Sequence, residues 1–118
     1  MRYMMLIHHN EVALAAAEQK QLWQDYAAFN EALSKAEGAE SGIRLEPAGK
    51  ATTVRTTGDR TEVLDGPYAD TKEQFAGYFF IDVPTLEEAV AWAKRCPSAR
   101  YGSIEIRPVH VPQPGSWK

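Results

Sequence analysis

Residues 75–83, FAGYFFIDV, are apolar at both odd and even positions. Alternate side chains of a strand point to opposite faces, so Phe79, Ile81 and Val83 share one face and Tyr78, Phe80 and Asp82 the other. A strand apolar on both faces must be covered on both. Residues 2–9 repeat the pattern, with Tyr3, Met5 and Ile7 on one side and Met4, Leu6 and His8 on the other. Between them, residues 13–37 read as one long helix, because Leu22, Tyr26, Phe29, Leu33 and Ala36 follow three-four spacing. Trp23 and Ala27 widen that stripe, and Gly38 can terminate the helix.

Shorter segments fill the order. Residues 41–47 read as an edge strand stopped by Pro47 and Gly49. Residues 51–57 and 61–64 read as a hairpin turning at Gly58-Asp59-Arg60. Asp65-Gly66-Pro67 breaks the second of these strands. Residues 71–74 suit one helical turn, capped by Asp70 or Thr71. Thr85 and Glu88 form a capping-box pattern ahead of a helix whose buried stripe is Leu86, Ala89, Val90 and Ala93. Pro97 ends that helix, and residues 103–109 form a last strand, with Ile104 and Ile106 opposite Glu105 and Arg107. Two helices on one face of a mostly antiparallel sheet give an α+β, ferredoxin-like sandwich. The economical cover for the other face is a second copy of the same sheet, which predicts a homodimer closing into an α/β barrel.

The chain has 118 residues, enough for a single domain spanning 1–118, with 108–118 as an extended C-terminal arm. Its formal net charge of −3 and the scatter of its Lys and Arg argue against a nucleic acid partner. The apolar run near the start is too short for a membrane span. The one cysteine, Cys96, cannot form an internal disulfide, so a cytoplasmic setting is expected.

Ala51 to Arg55, the run DGPYADTKEQ from Asp65 to Gln74, Gly77-Tyr78, and the ending Gly102 to Pro108 together resemble the YCII-related, DGPF-motif family. The resemblance covers nearly the whole chain, with Tyr68 where Phe is usual and Asp70 where Glu is common. It implies a dimeric α/β barrel and an unassigned activity. It also implies that members accompany extracytoplasmic-function sigma factors, a link that would act in trans for this chain. In the YCII branch a histidine near the start of the long helix pairs with an aspartate as a proposed catalytic dyad. Residues 10–22 contain no histidine, so that role does not transfer.

Candidate chemistry falls to a few side chains. Asp65, beside Gly66, is read as a general base at a cleft mouth or as an Asx-turn anchor. Lys72 is read as an anion-binding group or a solvated turn residue. Glu105 and Arg107 must be paired or line a cavity if their face is covered, and Tyr78 shares that face. His8 and His9 end the first strand and point oppositely, so only one can line a given cavity; His8 is the one assigned to the site. The three histidines and Cys96 show no close metal-ligand spacing, and no glycine-rich phosphate loop or nucleophile elbow is present. Cys96 reads as a buried, inert thiol, and Trp23, Trp92 and Phe29 as core or dimer packing. Trp117 is read as packing across the dimer. The expectation is a cofactor-independent small-molecule enzyme of lyase or isomerase type near the DGPY loop, with catalytic Asp65 and His8 and with Lys72, Tyr78, Glu105 and Arg107 contacting substrate. The alternative is a non-catalytic ligand-binding or regulatory module serving a sigma factor.

Overall fold

The computed structural model describes residues 1–69 and 71–115, apart from the side chain of Ser41. Trp117 and Asp70 lie outside the described residues. Strand β1 (Arg2–Asn10) is followed by helices α1 (Glu11–Ala16) and α2 (Gln19–Lys35), then by β2 (Glu40–Arg44). A hairpin of β3 (Thr52–Thr57) and β4 (Arg60–Asp65) precedes β5 (Glu73–Asp82), α3 (Leu86–Arg95) and β6 (Gly102–Pro108). The main sheet has four strands in the order β2-β5-β1-β6, and every pairing in it is antiparallel. This is the α+β, ferredoxin-like arrangement, with the β3–β4 hairpin inserted as a separate two-stranded sheet.

Register carries the alternation of β1 across the sheet. Tyr3, Met5 and Ile7 stand opposite Ile81, Phe79 and Gly77 on one side and opposite Pro108, Ile106 and Ile104 on the other. That face packs on Phe29 and Leu33 of α2 and Ala89 and Ala93 of α3, and it forms the core. Phe29 is its hub, with ring centroids 5.5 Å from Phe79 and 6.1 Å from Trp92, both near edge-to-face. On the opposite face Met4, Leu6 and His8 align with Phe80, Tyr78 and Phe75. These side chains lie outside the core: Phe75 is exposed and the others are half-buried.

Three local expectations change. The long helix is two helices, because Glu18 caps α2, its carboxylate accepting hydrogen bonds from the Lys20 and Gln21 amides. Gln19 Nε2 donates to the Leu14 and Ala17 carbonyls, so the break leaves few backbone groups unpaired. Residues 71–74 are not a helical turn: Glu73 and Gln74 pair with Asn10 and His9 as the start of β5. The stripe of α2 is buried only at Phe29 and Leu33, while Trp23 is 73% exposed and Ala27 is also exposed. Leu86 likewise lies outside the core, one turn ahead of buried Ala89. The Thr85 cap forms as its pattern predicts, its hydroxyl accepting from the Glu88 amide at 3.2 Å.

The hairpin turns through Gly58 at φ 60°, the conformation that a tight two-residue hairpin asks of its first central residue. Its valines, Val54 and Val63, are exposed, and an isolated two-stranded ribbon is marginal in water. With this projecting arm the radius of gyration reaches 16.6 Å, above the roughly 13–14 Å of a compact chain this long.

The central position of Phe29 leads to a stability prediction. Phe29→Ala removes a ring that is 6% exposed and leaves a cavity between α2 and the sheet. It is expected to cost about 3–5 kcal/mol in denaturant unfolding, against less than about 1 kcal/mol for the exposed Trp23→Ala.

Candidate functional site

Two places gather polar side chains on the apolar frame. The first is the uncovered sheet face. His8 Nε2 lies 3.0 Å from Glu105 Oε1, and the imidazole tilts against Phe75 at 5.7 Å between centroids. Tyr78 stacks edge-on with Phe80, whose ring carries the Arg2 guanidinium 4.1 Å from its centroid. Register places Glu105 opposite Leu6 and Arg107 opposite Met4, so His8, Tyr78, Glu105 and Arg107 share this face as their parity predicts. The other two candidates stand apart. Asp65 ends β4 in the separate hairpin sheet, and Lys72 precedes β5; both are exposed. Neither side chain makes a hydrogen bond or ion pair among the described residues.

The second place is a cleft of about 650 Å³ between the N-terminal half of α2 and the β2–β5 edge of the sheet. It exists because α2 meets the core only from Tyr26 onward, leaving Leu22 and Trp23 as one wall. Gly42 and Gly77 form the facing wall, where a Cβ on either would run into the neighbouring strand's backbone. Of the six sequence-predicted residues, only Tyr78 borders this cleft.

His9 stands at the cleft floor and is 7% exposed. Its Nε2 is 2.5 Å from Ser98 Oγ, and Ser98 is fully buried. Ser98 is hydrogen-bonded in turn to the Tyr26 hydroxyl, which lies 3.6 Å from Cys96 Sγ. The imidazole plane is thereby fixed through one nitrogen. The other, Nδ1, has no hydrogen-bond partner among the described residues, and His9 lines both this cleft and the groove beside it. Burial, and then the nearby Arg44 guanidinium, hold the His9 pKa below its ordinary 6.5, with Glu11 opposing them. A neutral imidazole with one fixed and one open nitrogen can accept a proton from a bound molecule and return it.

The YCII-related domain model matches residues 1–112. The chain belongs to the YCII-related family. An uncharacterized protein of Rhizobium meliloti (strain 1021) is 33% identical over 120 aligned positions, spanning 98% of this chain and 97% of that one. Fold and family therefore agree, and neither carries a reaction with it.

In this YCII-related protein Cys96 is buried, and burial pushes its thiol pKa up, away from the reactive thiolate. Burial also raises the Tyr26 hydroxyl, so the phenol stays protonated as a hydrogen-bonding post. Among the described residues no cluster of three or more His, Cys, Asp or Glu is placed to hold a metal, and no helix is long and apolar enough to cross a membrane.

The residue that reading from sequence passed over is His9. Its signal was present: parity puts His9 with Tyr3, Met5 and Ile7, on the face the helices cover. Ser98 and Arg44 gave no such signal, because their approach to His9 spans 89 and 35 positions of chain.

A lowered histidine pKa has a definite sign. The unfolded chain binds the proton more readily than the folded one, so acidification through the ordinary histidine range favours unfolding. The stability is complete above that range, and it is lost as pH falls toward the lower folded value. His9→Gln is expected to flatten this loss between about pH 7 and about pH 5, measured by urea unfolding at each pH. An equal slope in both proteins would contradict the burial of a neutral His9.

Proposed function

We propose that this YCII-related protein is a cofactor-independent small-molecule enzyme of lyase or isomerase type, with the α2–sheet cleft as its site and His9 as its acid–base group. One observation carries the reading: a histidine more than nine-tenths buried is fixed by Ser98 through one nitrogen and lines a cleft large enough for a small organic molecule. Among the described residues the lining holds no Ser, Thr or Cys, so proton transfer is the chemistry that His9 supports there. The acid–base step moves from Asp65 and His8 to His9. His8 pairs with Glu105 on the uncovered face, and Asp65 lies on the hairpin arm.

The same reading includes a homodimer. Met4, Leu6, Tyr78 and Phe80 form a partly buried apolar band outside the core, and the exposed hairpin arm is of a kind that needs a partner. A second copy across a two-fold axis covers both. In that assembly Glu105, Arg107 and His8 form polar contacts within the interface, and Asp65 and Lys72 belong to its edge. A single buried, unpaired Cys96 suits a reducing compartment, so a cytoplasmic location belongs to the reading.

Two measurements test these statements. Screening a metabolite panel by thermal shift, then by product detection, should give a compound that the wild type converts. His9→Gln should lower its turnover by about 10²-fold or more while binding persists, and Asp65→Asn should leave turnover nearly unchanged. Binding without turnover in the wild type would instead give the non-catalytic ligand-binding or regulatory module. Sedimentation should return a dimer at micromolar concentration, and Phe80→Glu should return a folded monomer. A wild-type monomer under those conditions removes the dimer from the proposal.

A further inference from the structure

The charges around the cleft are one-sided. Its lining includes Lys20, Arg44 and His9 and not one Asp or Glu. In a chain of net charge −3 with 16 acidic residues, that exclusion needs a cause. The Arg44 guanidinium has no ion-pair or hydrogen-bond partner among the described residues, although two carboxylates border the neighbouring groove. Neither pairs with Arg44. Glu11 accepts a hydrogen bond from the Ala48 amide at 3.0 Å, and Glu46 lies 3.8 Å from Lys50 Nζ. Arg44 borders both the cleft and this groove, and its field reaches His9, opposed by that of Glu11. Apart from the amides of Gln19 and Asn30, the remaining lining is mostly apolar and aromatic, with Leu22, Trp23, Phe29 and Leu33 along the helix wall.

We propose that the cleft binds a small organic monoanion, a carboxylate on a flat apolar body, with the carboxylate at Arg44 and Lys20 and the body along Trp23, Leu22 and Phe29. Planar guanidinium and carboxylate match in two parallel hydrogen bonds, which an ammonium or an uncharged amide cannot reproduce. Aromatic walls favour a ring by stacking and by area. Such an orientation sets the carbon skeleton beside His9 Nδ1, where a proton next to the carboxylate-bearing carbon can be taken or returned. The inference rests on the reading of the cleft as the reacting site, and it adds the class of molecule that the site accepts.

The test uses the full chain and four probes of similar shape: benzoate, 2-naphthoate, benzamide and benzylamine. In calorimetric titration the two carboxylates should bind, 2-naphthoate more tightly. Benzamide should bind roughly tenfold or more weakly, and benzylamine should not bind. Arg44→Gln should weaken benzoate roughly tenfold with an unchanged melting curve, because Arg44 is exposed on an edge strand; Arg44→Lys should recover part of that loss. Quenching of tryptophan emission by 2-naphthoate should vanish in Trp23→Phe, which locates the ligand in this cleft. Equal binding of benzoate and benzamide, indifference to Arg44→Gln, or no carboxylate binding at millimolar concentration overturns the proposal. If carboxylates from the metabolite panel that carry a hydrogen on the carbon bearing the carboxylate bind through Arg44 but are never converted, the proposal stands and the enzymatic reading falls. Turnover of an uncharged compound that depends on His9 does the reverse.

Discussion

Everything in this YCII-related protein depends on the antiparallel pairing of β1 with β5. The two strands run side by side at the centre of the sheet, from Arg2 opposite Asp82 to Asn10 opposite Glu73. Both are apolar at odd and even positions, so their pairing creates two apolar surfaces at once. One surface is covered by Phe29 and Leu33 from α2 and by Ala89 and Ala93 from α3. The other is left with Met4, Leu6, Tyr78 and Phe80. A one-residue slip in this register would exchange the two surfaces and put His8 where His9 now lies. The irregularity between Ile7 and His8 is confined to the last turn of the ladder, beside the cleft.

The cleft follows from a shortage of helix contact. α2 has seventeen residues, yet its buried side chains are Phe29 and Leu33, both in its C-terminal half. Helix stability comes mostly from packing an amphipathic face, so the N-terminal half must be held by other means. Glu18 caps it, Gln21 bonds to Asp25, and Arg100 reaches Asp25 at 3.3 Å. These bonds support the half-helix where core packing is missing, and His9 lines the space between it and the sheet. The Tyr26–Ser98–His9 chain lies where the packed half gives way to the open half, which ties the imidazole to the rigid part of the core.

The neighbouring histidines show how much one step along a strand decides. His8 shares a partly exposed pair with Glu105, of the kind that contributes about 0–1 kcal/mol. His9 is enclosed, shifted toward neutrality, and fixed by a buried serine. Both end β1 on opposite faces, and the sequence assigns His8 to the site. The parity rule itself favours neither; the helix layer does. The same holds for Trp23, whose spacing fits the buried stripe of α2. Its exposure shows that the stripe is longer than the contact.

The sequence alone determined the α+β class, the ferredoxin-like order of elements, the two faces of β1 and β5, the Thr85 cap and the family. Those features rest on local periodicity, turn chemistry and motifs, each read within a few residues. Only the tertiary structure decided the break at Ala17 and Glu18, the start of β5 at Glu73, and the cleft with His9, Ser98 and Arg44 around it. These depend on where α2 leaves the sheet and on contacts between residues far apart in the chain, as with His9 and Ser98. No local pattern encodes such a meeting, because it is fixed by the packing of whole elements.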